Sequence, residues 1–333
     1  MNKKSLRVKN TCEVIHLISI RTDLVYETME AAAEQGVIDG IISEDVKSGD
    51  IEVNRITVKT EQAAQRIGRK SGRYSTVFCP GILEADGDTL LQMIDAIAAE
   101  IRALLPDGAD ATLLIVGLGN TSVTPDALGP MAVSNVVVTR HIKENMLDLY
   151  KEFQLGEVAA ISPGVLGQTG VESAEIIKGV VGKIQPTAVI AIDALMSRKM
   201  SRLAATVQLS DTGITPGSGL NNSRSEISEQ TIGIPVIAVG MPTVIDAATL
   251  ACDVVEQAEN RRDVSDPRAD RSEQDQSRYE LIRQSLSPYE MNLVVTPKHV
   301  DSIIQKAARL LGYSINRAMH PSLTLEDMAS FLS

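Results

Sequence analysis

The clearest run of hydrophobic periodicity lies between Asp88 and Leu105. There Leu91, Ile94, Ile97, Ala98, Ile101 and Leu105 recur at helical spacing behind a capping aspartate, and Pro106-Asp107-Gly108 closes the helix. Residues 113–116 read Leu-Leu-Ile-Val before Gly117, a short continuous apolar run of the kind found in strands covered on both faces. Similar runs at Ala188–Ile192, Thr206–Leu209 and Val236–Val239 are separated by helical patterns at Glu172–Ile184 and Asp246–Val255. Alternation of this kind predicts an α/β fold, a twisted and mostly parallel sheet flanked by helices on both faces. Earlier in the chain, a helix is expected from Leu24 to Gln35 with Gly36 as its stop, and a strand from Ile51 to Val58. That strand falls out of step, with Ile51 and Val53 in one phase and Ile56 and Val58 in the other. Tyr74–Phe78 reads as a further strand after the basic, glycine-bounded turn Gly68–Arg73. Asn292–Val295 reads as a last strand, and Thr296-Pro297 as the cap and first turn of a helix over Val300–Leu311. The stretch Glu256–Glu280 is nearly all charged or polar and is expected to be an exposed loop.

Composition narrows the functional classes. At 333 residues the chain can bury a large core without disulfides or metal, and with 3% aromatics and no Trp that core must be aliphatic. A net charge of −11 argues against a nucleic-acid-binding surface. Cys12, Cys79 and Cys252 are odd in number and far apart, so neither a disulfide framework nor a thiolate zinc site is expected. The histidines His16, His141, His299 and His320 are scattered, without H-E-x-x-H, and no G-x-S-x-G elbow is present. No stretch is apolar enough for a signal peptide or membrane helix, so a cytoplasmic protein is expected.

Two aspartates stand out by position. Asp126 lies in the loop after the 113–116 strand, and Asp193 follows Val189-Ile190-Ala191-Ile192, where the apolar pattern yields abruptly to a carboxylate. On neighbouring parallel strands both would reach one sheet edge. Close carboxylates there raise each other's pKa and can divide the acid and base roles of peptide hydrolysis. An aspartate at a strand end is equally at home as a helix cap, and Asp246 is read as one. Gly117-Leu118-Gly119 suggests a dinucleotide loop, but Ser122 occupies the place of the third glycine. Gly213–Gly219 could present N–H groups to an oxyanion or simply make a tight connection.

Long motifs in order connect these segments. They include IRTDL (Ile20–Leu24), GRY (Gly72–Tyr74), VGLGN and VTPDALGPMAV within Val116–Val133, and TRH (Thr139–His141). They continue with PGVLGQTGVES (Pro163–Ser173), IAIDAL (Ile190–Leu195), SDTGITPGSG (Ser210–Gly219), GIPVIAVGMPTVIDA (Gly233–Ala247) and NLVVTPKHVD (Asn292–Asp301). The chain thereby resembles the germination proteases of spore-forming bacteria, peptidases that degrade small acid-soluble spore proteins. The resemblance implies a fold similar to that of hydrogenase maturation proteases, with Asp126 and Asp193 as the essential aspartates. The maturation proteases hold a metal with a histidine that has no evident match here, so catalysis without metal or other cofactor is expected. The resemblance also implies a homotetramer in the forespore or spore core; the acidic balance and the lack of a long apolar stretch lead to the expectation of no nucleic-acid or membrane partner. It implies a precursor that removes its own N-terminus, making residues 1–23 a propeptide and 24–333 a single peptidase domain. Thr22-Asp23-Leu24-Val25-Tyr26-Glu27 has the acidic-then-apolar order of the family's cleavage sites, which sets the expected cut between Asp23 and Leu24. Asp23 also suits the cap of the following helix. Arg69, Lys70, Arg73 and Arg198 are the candidate readers of an acidic substrate residue. Alternatives are a metal-dependent maturation-type peptidase and a non-catalytic oligomeric relative.

Overall fold

The computed structural model describes residues 21–33, 39–85, 87–106, 111–217, 224–260, 281, 282, 285 and 293–332, with the main chain only for 256–260. A nine-stranded sheet in the order β1-β2-β3-β7-β8-β6-β4-β5, with β9 against β8, forms its centre. The strands are β1 (Ile41–Ser48), β2 (Ile51–Val58), β3 (Gly72–Phe78), β4 (Thr112–Gly117), β5 (Glu157–Ile161), β6 (Ala188–Ser197), β7 (Thr206–Ser210), β8 (Val236–Asp246) and β9 (Val294–Val295). Helices α1 (Val25–Ala33), α2 (Glu61–Ile67) and α3 (Gly87–Leu104) precede β4. After it come α4 (Leu128–Val133), α5 (Arg140–Asn145), α6 (Leu147–Glu152), α7 (Leu166–Thr169), α8 (Ser173–Ile184), α9 (Glu229–Ile232), α10 (Ala247–Asn260), α11 (Val300–Met319) and α12 (Leu325–Phe331).

The α/β class is as expected, but the sheet is mixed. Strands β8, β6, β4 and β5 are parallel, whereas β1, β2, β3 and β7 form an antiparallel wing, joined through β7 to β8. The turn chemistry explains the difference. Gly49 and Asp50 alone separate β1 from β2, and a two-residue link can only reverse the chain. Parallel neighbours need crossovers, and α4, α5 and α6 supply the one between β4 and β5.

One sheet face is buried under α3, α4 and α11. Ile94, Ile97 and Ile101 of α3, Leu128 of α4, and Ile304 and Leu311 of α11 pack there on Leu113, Ile115, Ile190 and Ile192. These side chains are fully buried, each stabilising the fold by roughly 1.5–3 kcal/mol. The other face carries two separate covers. Ile177 and Val181 of α8 lie on Leu114, Val116, Val189 and Ala191, while α1 and α2 lie on Ile56, Val58 and Tyr74. The phase change in β2 follows directly: Ile51 and Val53 face the first layer, and Ile56 and Val58 face α1 and α2.

Most expected elements are present within a residue or two, and both central strands run longer than their apolar runs. β6 continues past Asp193 to Ser197, paired with β8 as far as Ile245, so Asp193 lies within a strand and not at its end. Asp246 does cap the next helix, accepting from the Thr249 N–H at 3.0 Å. Thr296 does not: its hydroxyl donates to Thr243 O at 3.0 Å, and the residue before α11 is His299, without a side-chain cap. Residues 1–20, Gly36, Ser218, Gly219 and most of the 256–280 stretch lie outside the described residues, although α10 carries 256–260 as helix. Among the described residues, no helix is long and apolar enough to cross a membrane.

Candidate active site

On the second face, the gap between α8 and the α1–α2 pair leaves β7 and the later parts of β6 and β8 open. The result is a cleft of about 710 Å³, lined among others by Asp23, Arg69, Asp126, Asp193, Gln208 and Arg224.

Asp126 reaches this cleft from the loop after β4. Gly119 adopts φ +119°, and a Cβ there would lie 1.9 Å from Asp126 O. Only glycine allows the chain to fold back so closely, and the Asn120 N–H then donates to Asp126 O at 3.0 Å. Gly117 and Gly129 serve the same packing: a Cβ on Gly117 would meet Gly129 O at 2.3 Å, and one on Gly129 would meet Leu118 O at 2.3 Å. These glycines therefore seat a short turn, Thr124–Asp126, against the end of the strand. Their spacing has that packing role here, and the turn places a carboxylate where a dinucleotide loop would offer N–H groups.

Asp193 sits in the sheet itself, 6% exposed, with Oδ1 accepting from the Ala194 N–H at 2.9 Å. In register it lies opposite Gly240 of β8, which lies opposite Gln208 of β7. Paired residues share a face, so Asp193 and Gln208 flank a bare glycine, roughly 10 Å apart along the sheet. Gly240 forms the cleft floor, and a Cβ there would meet Asp193 O at 2.7 Å.

Both aspartates are electrostatically perturbed. Burial, then the neighbouring Asp126 carboxylate, push Asp193 up to about 8, with Asp23 adding in the same direction and Arg224 opposing. Asp126 is also raised, by burial, against the Asn120 N–H and Arg224. Its exposure is intermediate, so it is the more solvent-accessible of the two. A pair of this kind holds one proton more readily than two charges.

Residues 21–24 are fastened along the same cleft. Asp23 donates its N–H to Met196 O at 2.8 Å, and its Oδ2 accepts from the Met196 N–H at 2.8 Å. Its carbonyl accepts from Gln208 Nε2 at 2.9 Å, while Gln208 Oε1 accepts from the Val25 N–H at 2.5 Å. Gln208 therefore brackets the Asp23–Leu24 bond. Arg69 Nη2 donates to Thr22 O at 2.6 Å, and Arg21 pairs with Asp246 at 3.2 Å. Buried Glu27 accepts from the Thr22 hydroxyl and from the N–H groups of Arg198 and Lys199, at 2.7 and 2.9 Å for the last two. Leu24 is fully buried.

The basic candidates separate. Lys70 pairs with Glu226 at 2.6 Å and Arg73 with Asp211 at 2.7 Å; Arg73 and Arg198 do not line the cleft. Arg69 does line it. Gly68 ends α2 with φ +64°, and the Arg69 N–H closes the turn on Ala64 O at 2.9 Å. Burial lowers the Arg69 guanidinium, and the Asp23 carboxylate opposes that lowering. In the Gly213 loop, Ile214 and Ile227 exchange main-chain bonds of 2.9 and 2.8 Å, and a Cβ on Gly213 (φ +74°) would meet Ile227 O at 2.3 Å. Its described part is a tight connection whose residues through Gly217 form one wall of the cleft.

Gln208 and Arg224 were not singled out in the sequence. Gln208 had a signal, as the polar position between Val207 and Leu209 in an otherwise buried strand; Arg224 had none. Among the described residues, no three His, Cys, Asp or Glu side chains are arranged to hold a metal ion, and no described histidine lines the cleft. His320 is buried elsewhere, with Nδ1 accepting from the Gly156 N–H at 3.1 Å and Nε2 3.1 Å from Val137 O. Among the described residues, this donor set does not match a carboxylate-and-histidine metal site.

The family model described as germination protease matches residues 19–260 and 271–332. A germination protease of Caldanaerobacter subterraneus subsp. tengcongensis is 43% identical over 331 residues, covering 96% of this chain and all of the relative. One from Clostridium perfringens is 40% identical over 330 residues, covering 95% of this chain and all of the relative. One from Bacillus subtilis is 40% identical over 361 residues, covering 94% and 96%.

Proposed function

The chain belongs to the germination protease family, and from that membership we propose that it is an endopeptidase opening the degradation of small acid-soluble spore proteins. It acts in the spore core as a homotetramer, cuts after an acidic residue, and uses Asp126 and Asp193 as its catalytic pair. The observation that carries this reading is the convergence of two aspartates, one from a turn and one from within a strand, on one cleft where burial raises both and the Asp126 charge further favours a proton on Asp193.

The proton balance follows from the two environments. Asp126, nearer solvent, takes the ionised role and accepts a proton from water as the water oxygen bonds to the substrate carbonyl carbon. Asp193 holds the proton and delivers it to the amide nitrogen as the C–N bond breaks. Transfer of one proton from Asp126 back to Asp193 resets the pair. A carbonyl placed like that of Asp23 would accept from Gln208 Nε2, whose donation strengthens as the oxygen gains charge.

The chain is made as a precursor that cuts itself between Asp23 and Leu24. Support comes from the acidic-then-apolar order of Thr22–Glu27 and from the position of Asp23 in the same cleft as the pair. Incubation with a purified small acid-soluble spore protein, with the cut sites mapped by mass spectrometry, tests the assignment. Cuts on the carboxyl side of Asp or Glu are expected; an intact substrate, or cuts without acidic preference, would overturn it.

A further inference from the structure

The contacts made by Thr22 and Asp23 have the form of a bound peptide. The Asp23 N–H bonds to the main chain of β6 as an added strand would, and its carbonyl is held by Gln208. Thr22 O is held by Arg69, while Arg69 Nε is shielded from solvent and has no hydrogen-bond partner. A buried guanidinium N–H left unused is costly, and a carboxylate is its natural acceptor. On the far side of the bond the situation differs. Leu24, Val25, Glu27, Thr28, Ala31 and Ala32 are buried in the body of the protein.

We propose that Arg69, Gln208 and the main chain of Met196 form the subsite that reads the acidic residue preceding the cut bond, and that the chain's own Thr22-Asp23 fills it until the segment is removed. This rests on the peptidase reading above. Of the four basic candidates, Arg69 combines a place in the cleft, an unused N–H and an electrostatic partner in Asp23. Removal of residues up to Asp23 would free the Met196 N–H and carbonyl, the Gln208 amide and the Arg69 donor to Thr22 together. A substrate strand can then take up the same set. Occupancy by the chain's own segment blocks the subsite and adds the Asp23 charge to those that raise Asp193.

The test uses the full-length chain, allowed to process itself, with Arg69→Gln and Arg69→Lys variants and matched peptides Thr-Asp-Leu-Val-Tyr-Glu and Thr-Asn-Leu-Val-Tyr-Glu. The parent is expected to favour the Asp peptide by about tenfold or more in kcat/KM, the scale of one charge-assisted contact. Arg69→Gln should bring the two peptides within about twofold, chiefly by raising KM for the Asp peptide, and Arg69→Lys should keep part of the preference. A folded Arg69→Gln protein that still prefers Asp overturns the subsite and leaves the peptidase reading standing; Asp126→Asn cleaving at the parental rate overturns the peptidase reading instead. Should none of the chains cut either peptide, or should Arg69→Gln fail to fold, thermal unfolding of Asp23→Asn, Arg69→Lys and the double variant decides. Non-additive shifts support the electrostatic coupling of Asp23 and Arg69, and additive ones overturn it.

Discussion

Replacing Asp193 with Asn should make the protein more stable and less active, and the pH dependence of the first effect identifies its cause. Asp193 is raised to about 8 by burial and by Asp126, so the folded state keeps a proton that the unfolded state releases above the ordinary value of 3.8. The sign follows by linkage. The contribution of this group to stability is fully present below pH 3.8, is lost progressively as pH rises, and falls no further above about 8. Asparagine has no proton to lose and can still accept from the Ala194 N–H through its amide oxygen. At 1.36 kcal/mol per pH unit, the variant should exceed the parent by at most about 4 kcal/mol at pH 7 and about 2 kcal/mol at pH 5. Urea titrations of both proteins at pH 4, 5, 6, 7 and 8 give the difference directly. An advantage that grows across this range supports the buried protonated carboxyl. A difference independent of pH, or a variant less stable at pH 7 than at pH 4 relative to the parent, refutes it.

Other outcomes follow from neighbouring groups. His320 is lowered to about 4 by burial, so stability should fall by about 3 kcal/mol as pH drops from 6.5 towards 4, and His320→Gln should flatten that acid limb in pH-dependent urea melts. Gly119→Ala forces a side chain against Asp126 O; with its positive φ it should cost about 1–3 kcal/mol and reduce kcat about 100-fold or more, read by thermal melts and peptide turnover. Glu27→Ala leaves the Arg198 and Lys199 N–H groups without their acceptor and should destabilise by about 2–5 kcal/mol, with faster proteolytic loss of the 21–24 segment. Gly240→Val narrows the floor between Asp193 and Gln208 and should raise KM for peptides while thermal stability falls by about 1–3 kcal/mol.

The parts of the fold that rest on local periodicity were legible. α3, α8 and the central strands announce themselves through apolar spacing, because one or both of their faces are buried along their length. β1 was not, since all eight of its residues are partly or fully exposed at the sheet edge and no alternation marks it. Its pairing with β2 is set by the Gly49-Asp50 turn, and the antiparallel wing follows from that turn and not from hydrophobicity. Asp126 and Asp193 could be singled out because each interrupts or follows an apolar run. Their meeting in one cleft depends on the order β8-β6-β4, which no local pattern encodes. Gln208 joins them only through register across Gly240. The choice of Arg69 over Lys70, one position along in a uniformly basic turn, depends on the left-handed Gly68 and on where α2 ends.

Asp126 and Asp193 are expected to act together in cleaving peptide bonds. Turnover of a purified small acid-soluble spore protein by the parent, by Asp126→Asn and by Asp193→Asn, each confirmed folded, tests this most directly. Each substitution should lower kcat by about 100- to 10,000-fold, and the double variant should be little worse than either single one, because the two act as a unit. Parental turnover by either folded single variant would contradict a catalytic role for the pair.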